Sequence, residues 1–485
     1  MISRAFVARP VIAALTLVLL SGCSLAPRYE RPPPPVTPSW PVGDAYLPQS
    51  EADLASLSFD QVVRDARLRQ LIEAALVNNR DLRVAAANIE VARAQYRIQR
   101  AELLPVVAAN ATVDRNRGGT SGAIESATDS ATVSTFYTVS GGITAFEIDL
   151  FGRIRSLSDA ALNRFFATEA AARATRLTLV GDIATAWLTY AADESLYDVA
   201  LETERNARRS VELTGARLSG GIAPRTDLRQ AEQILAQAQS DLAASRTALA
   251  RDVNALTLLV GAPVDAALLP ASIEQVAESV GEVPAGLDSS VLLRRPDVLQ
   301  AEYQLRAANA RIGAARAALF PRISLTSALG FASPALSSLF ANGSFNWSVA
   351  PSVDYNIFQG GAGRAGVRQS QAERDAALAT YEGAIQTAFR EVADALARRG
   401  TIGDQLRADT SLVAAAQDTA RLTEARYRGG IDPFLTVLDA QRSLYAAQRT
   451  LVTTRLIRAT NLVTLYRTLG GDPGLDGRSD LATGN

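Results

Sequence analysis

The chain has 485 residues, no histidine and one cysteine. Lysine is missing too: all 49 basic residues are arginine. Histidine is the commonest metal ligand and general base, so its absence excludes imidazole zinc sites, Ser/His triads and Cys/His pairs. Lysine chemistry is excluded with it, and no glycine-rich phosphate loop follows a strand and opens a helix. Asp and Glu number 50, for a formal net charge of −1, so no basic surface invites nucleic acid. A lone cysteine forms no internal disulfide. Past the first two dozen residues no apolar run reaches the roughly 18 residues of a transmembrane helix. Any membrane-spanning part must then be β-barrel, the other structure that satisfies its backbone in lipid. We expect no catalytic, cofactor-binding or metal site, and no enzyme.

What is present begins at the N-terminus. Arg4 and Arg9 precede an apolar stretch, Val11–Leu20, too short to span a bilayer and suited to a cleaved signal peptide, 1–22. It runs into Leu20-Ser21-Gly22-Cys23, which resembles a bacterial lipobox, with Cys23 as the lipidated first residue of the mature chain. Ser24 in place of Asp, by resemblance to bacterial lipoproteins, favours the outer membrane. Several acyl chains on Cys23 would hold firmly where one holds weakly. Pro27 and Pro32–Pro35 exclude helix or inner strand from 24–42, which reads as an extended leader running down the outside of a barrel.

The chain also repeats itself. Asn79-Arg80-Asp81 opens a helical stretch ending at Leu103-Leu104-Pro105, and Arg295-Pro296-Asp297 opens another ending at Leu319-Phe320-Pro321. Phe151-Gly152 is answered by Phe358-Gln359-Gly360. Ala216-Arg217-Leu218-Ser219-Gly220-Gly221-Ile222-Ala223-Pro224 is answered, 209 residues on, by Ala425-Arg426-Tyr427-Arg428-Gly429-Gly430-Ile431-Asp432-Pro433. Gly261-Ala262-Pro263 is answered by Gly471-Asp472-Pro473. The expected layout is a lipid-anchored segment 23–63, a first repeat 64–263, an equatorial linker 264–294, a second repeat 295–473 and a disordered tail 474–485.

Each repeat reads as helix, two strands, long helix, tight turn, helix. Leucines 228, 235, 242, 249 and 256 recur every seven residues, as coiled-coil packing requires, although a soluble bundle would show the same. The stretch from Arg153 to Ser219 has no proline and as one helix would measure roughly 100 Å. Its counterpart covers about 360–428. The shorter helices, near 79–104 with 224–259 and near 295–319 with 433–469, pair to about the same length. This points to a tall cylinder with a belt at the junction.

Strands are expected near 106–117, 136–150, 321–332 and 345–358. From Phe345 to Ile357 odd positions are apolar or Pro and even positions polar or Ala, the dyad pattern and length of transmembrane strands. Near Ala145 the phase shifts, as a bulge would produce. Trp347 and Tyr355 are placed on the lipid face, at two interfacial girdles. Four strands cannot close a barrel, so subunits must pool them: a dimer gives eight and a trimer twelve.

Taken together, the lipobox, the paired Leu-Phe-Pro and Phe-Gly junctions, and Tyr427-Arg428-Gly429-Gly430 running into Val437-Leu438-Asp439-Ala440-Gln441 resemble the TolC/OprM family of outer-membrane efflux proteins, its lipoprotein (NodT-type) branch, along essentially the whole mature chain. The resemblance implies an α+β membrane protein, a homotrimer with a twelve-stranded barrel joined to a periplasmic α-helical coiled-coil barrel. Its implied partners are a periplasmic adaptor (membrane fusion) protein, an inner-membrane pump of the RND type and outer-membrane lipid. Drugs, detergents or other small amphiphilic compounds would be its cargo. It also implies a periplasmic gate at Leu435, Asp439 and Arg442, which share one helical face. A threefold ring of Asp439 would favour cations. Some relatives carry a second Asp where this chain has Thr436, and a solvated coiled-coil charge is the plainer reading of Asp439. The turns with Gly220, Gly221 and Pro224, and with Gly429, Gly430 and Pro433, are the implied adaptor-docking tips, with Arg217, Arg426 and Arg428 as contacts. As helix caps they need no partner. A type I protein-secretion duct shares this architecture, and a poreless coiled-coil scaffold shares the heptads.

Overall fold

The computed structural model describes residues 24–46, 59–117, 133–281 and 288–471. Cys23, the signal segment and the tail 474–485 lie outside the described residues. Along the chain come α1 (Phe59–Val62), α2 (Ala66–Asn78), α3 (Arg80–Ala101), β1 (Val107–Arg117), β2 (Val133–Glu147), α4 (Arg153–Ser219) and α5 (Arg225–Val260). They are followed by α6 (Ile273–Val276), α7 (Pro296–Ala317), β3 (Arg322–Ser333), β4 (Phe345–Asp354), α8 (Ala362–Arg428) and α9 (Phe434–Thr468). The series α3-β1-β2-α4-α5 recurs as α7-β3-β4-α8-α9. Both long helices contain 67 residues, so each measures roughly 100 Å. Among the described residues no helix is long and apolar enough to cross a membrane.

The fold divides into two compact units. The first takes in the chain up to Pro32, Glu90–Ala167 and Glu302–Thr380. Its sheet has the order β1-β2-β3-β4, antiparallel throughout. Alternation sorts the side chains into two faces. One row of the apolar face reads Ala111, Val139, Phe331, Phe345, and the next Ala109, Gly141, Leu329, Trp347. The opposite face carries Asn110, Ser140, Gly330 and Asn346 in one row. The register jumps between Ile143 and Phe146, where Ala145 takes φ +50°. This bulge keeps Phe146 on the apolar face, opposite Leu325.

β4 corrects the sequence reading. It stops at Asp354, which pairs with Arg322 at the start of β3. Pro321 precedes that start, so residues 355–358 have no strand to pair with, and Tyr355 is not a strand residue. At this end of the sheet Phe151 stacks on Phe320 at 4.7 Å between centroids. The Glu147 carboxylate accepts two 2.8 Å hydrogen bonds from Arg153 and one of 3.1 Å from Arg322. These contacts fix where strand becomes helix.

The leader also departs from expectation. Its residues 24–32 pack along helix α7, at intervals of one heptad, and not along strands. Arg316 Nη1 donates to the Leu25 carbonyl (3.2 Å), Asn309 Nδ2 to the Pro27 carbonyl (2.8 Å), and Arg31 grips Glu302 at 2.6 and 3.0 Å. The cause is partly the missing side chain at Gly313, where a Cβ would come within 2.7 Å of Ala26. Burial opposes ionisation of Glu302, but hydrogen bonds from Arg31 and Arg306 outweigh it and hold the carboxyl below its ordinary value.

The second unit comprises Pro33–Ile89, Thr168–Ala301 and Tyr381–Asn485. Its core gathers Leu68, Leu71, Ile72, Trp187 and Leu256, all buried. Trp187 donates its indole N–H to the Leu268 carbonyl at 2.9 Å. Trp40 stacks on Phe389, and short bridges join Ser39 to Asp288 and Val63 to Val280. Arg295, buried beside α7's first turn, bonds Asp297, Glu391 and the Thr468 carbonyl. Prolines in 33–46 thus still leave the segment built into a helical core.

Candidate functional site

Each helical hairpin turns on a pair of glycines. At the end of α4, Ile222 N donates to the Arg217 carbonyl (2.9 Å) and Gly221 N to the Leu218 carbonyl (3.0 Å). At the end of α8, Ile431 N donates to Arg426 (2.9 Å) and Gly430 N to Tyr427 (3.0 Å). Both are Schellman caps, and their left-handed residues, Gly221 (φ +74°) and Gly430 (φ +72°), need glycine. Pro224 and Pro433, extended and at the N-cap of α5 and α9, start the return helices. Gly220, Gly221, Pro224, Gly429, Gly430 and Pro433 are all exposed. So are Ile222 and Ile431 at the apex of each turn.

The arginines there are engaged with this chain. Arg426 clamps Asp432 through two hydrogen bonds of 2.6 and 2.9 Å, and Arg428 pairs with Glu424. Arg217 lacks an acidic neighbour in its own turn, where Ala223 stands. It reaches the other hairpin instead, donating to the Tyr427 carbonyl at 3.1 Å with its guanidinium 4.6 Å from the Tyr427 ring centroid. Tyr427 is buried with Phe434, Val437, Leu438 and Ala231. Burial raises its phenol pKa above the ordinary value; Arg217 works against this. The Arg217–Tyr427 clamp was not legible in the sequence, since its partners are 210 residues apart.

Leu435, Asp439 and Arg442 lie on one side of α9, all exposed, with Val437 and Ala440 buried on the other and Leu438 buried at the flank between them. They diverge in surroundings. Arg442 lines a cavity of about 220 Å³ walled by α4, α5 and α9, together with Glu202, Asp241 and Tyr445. Leu435 and Asp439 stand outside it. Within the cavity Asp241 accepts from the Tyr445 hydroxyl (3.1 Å) and from Gln237 Nε2 (2.9 Å), tying α9 to α5. Burial, and then the Asp241 charge, raise the Tyr445 phenol pKa. Further along, Asp252 of α5 faces Asp193 of α4. Burial and that neighbouring carboxylate push Asp252 up to about 7.

A chain whose described residues leave both edges of a sheet unpaired, expose a single apolar face of it and continue into helices of this length is built as a subunit of a membrane channel. Known proteins place it more narrowly. The profile of the family described as outer membrane efflux protein matches residues 71–262 and 287–471. The chain is 45% identical over 460 residues to the toluene efflux pump outer membrane protein TtgC of Pseudomonas putida, covering 94% of each chain. To the outer membrane protein OprJ of Pseudomonas aeruginosa it is 41% identical, covering 95% of each. It superposes on the MtrE outer membrane channel of Neisseria gonorrhoeae with TM-score 0.81 at 36% identity, covering 93% of this chain and 98% of that one. The chain belongs to the outer membrane efflux protein family. It is an outer-membrane efflux channel protein reaching into the periplasm, and not an enzyme.

Proposed function

We propose that three copies of the chain form the exit duct of a tripartite efflux pump. The observation that carries this is the sheet: among the described residues nothing pairs with the outer edges of β1 and β4, and one face is apolar and exposed, Trp347 by 70% and Val113 by 64%. Four strands are too few to close, and three copies give twelve. Helix α3 supports the same assembly. It buries no residue, and Val84, Val91 and Ile98 make an exposed stripe at heptad spacing, suited to a neighbouring subunit.

The pump would be of the RND type, joined through a periplasmic adaptor docked at the two glycine turns. Small amphiphiles are the cargo class, in keeping with relatives named for toluene, solvent and antibiotic efflux. A lipid on Cys23 would anchor the N-terminus to the outer membrane. The leader supports this, because Leu25 lies at the C-terminal end of α7, next to the start of β3. Leu435, Asp439 and Arg442 would form the periplasmic constriction, with Asp439 as a ring of three carboxylates.

Purified protein in planar bilayers tests the whole reading. Trimeric conductance, blocked by divalent cations and relieved of that block in Asp439→Ala, is the expected result. Silence under every opening condition overturns the channel assembly, and unchanged block in the variant overturns the gate assignment alone.

A further inference from the structure

The apolar face of the sheet ends in arginine. On β1 the residues Val107, Ala109, Ala111 and Val113 alternate onto that face, and the next two positions on it are Arg115 and Arg117. The register sets Tyr137 beside Val113, Thr135 beside Arg115 and Val133 beside Arg117. Phe331 and Phe345 occupy the row below Tyr137, and Phe340 from the hairpin loop packs edge-on against Phe331 at 5.3 Å. Toward the hairpin end, the face passes from mainly aliphatic rows, with Phe146 near the helix end and Trp347 midway, to the rings of Phe331, Phe345 and Tyr137 and then to two guanidiniums. That is the order of chemistry across the boundary between hydrocarbon and headgroups.

Both arginines are exposed, and among the described residues neither has an ion-pair partner. Two positions along a strand separate their Cα atoms by about 7 Å. Each planar fork can take two oxygens of one phosphate. We propose that Arg115 and Arg117 form a docking surface for lipids with phosphate headgroups in the leaflet at the hairpin end, the acyl chains lying on the Val113, Phe331 and Phe345 rows. The inference rests on the membrane reading of this face, with which the arginines are continuous, and the positive charge selects anionic over zwitterionic lipid.

The test is lipid competition at a tryptophan reporter. Full-length protein carrying Val113→Trp and Trp347→Phe is reconstituted in phosphatidylcholine vesicles. The remaining Trp40 and Trp187 are 2% and 0% exposed and give a constant background. Brominated phosphatidic acid and brominated phosphatidylcholine are compared as quenchers at equal fractions. Phosphatidic acid is expected to be preferred by about fivefold per guanidinium. Adding Arg115→Gln with Arg117→Gln brings the preference close to one, and the corresponding Lys pair, which keeps the charge, retains most of it. Equal quenching by the two lipids in the reporter chain overturns the proposal, as does a preference that survives the Gln pair. Absence of quenching by either lipid overturns it differently, by removing the face from the membrane. Helical circular dichroism of each variant in detergent checks folding.

Discussion

The two halves share a backbone and differ in chemistry at equivalent positions, 209 residues apart. Both tips use the same Schellman cap, the same left-handed glycine and the same proline start. Around that frame the second tip is apolar and self-paired. Phe434 and Tyr427 fill a core, and Arg426 closes on Asp432. The first tip has Arg225, Leu218 and Ala223 in those places, which leaves Arg217 to reach across to Tyr427. Higher on the helices the contrast reverses. Asp193 and Asp252 of the first half stand where the second has buried Ile402 and Asn461. The repeats share their geometry, and the residues that differ between them make one hairpin the support and the other the surface that leans on it.

The largest expected effect breaks this contrast at its core. Phe434→Ala should destabilise the helical signal by about 3–5 kcal/mol, the loss for a fully buried phenylalanine. Its counterpart Arg225→Ala, exposed, should stay within about 0.5 kcal/mol. Denaturant unfolding in detergent, followed by circular dichroism, compares them, and equal losses would dissolve the distinction between the tips.

The next effect depends on pH. Asp252 has its folded pKa raised to about 7 from an ordinary 3.8, so the folded state holds this proton more tightly than the unfolded. The stability it contributes is complete below 3.8 and is lost as pH rises through about 7. Asp252→Asn installs the residue type used at Asn461 and should flatten the pH dependence of the melting temperature across that window. A slope unchanged by the substitution would show that the carboxyl pair does not couple to folding.

The smallest effect sharpens the link between the hairpins. Arg217→Ala should cost about 0.5–1 kcal/mol through the lost contact with the Tyr427 ring. Arg217→Lys should recover less than full stability, since ammonium does not stack as a planar guanidinium does. A double-mutant cycle with Tyr427→Leu measures the coupling, and additive effects would deny the clamp.

Much of the architecture was legible in the sequence because it is written in local periods. The dyad pattern from Phe345, the heptad leucines of α5 and the glycine turns each specify a local backbone, and the structure has strand, helix and cap there. Ala145 was legible too, since a bulge shifts the phase of every residue after it. The end of β4 was not, because Tyr355 and Ile357 keep the alternation going while pairing stops for want of a partner on β3. The fate of the tip arginines was also hidden. The equivalence of Ala223 and Asp432 held the signal that Arg217 lacks a local partner, but not where it would go.

By itself the sequence determined the repeated order of helix and strand, the apolar sheet face and the turns, since each depends on residues within about one to two turns or strand lengths of one another. Only the tertiary structure decided that Arg217 meets Tyr427, that Tyr445 bonds Asp241 beside Arg442, and that the leader lies on α7. Those contacts join residues hundreds of positions apart, and which side chain fills which gap follows from packing of whole helices, a property no local period encodes.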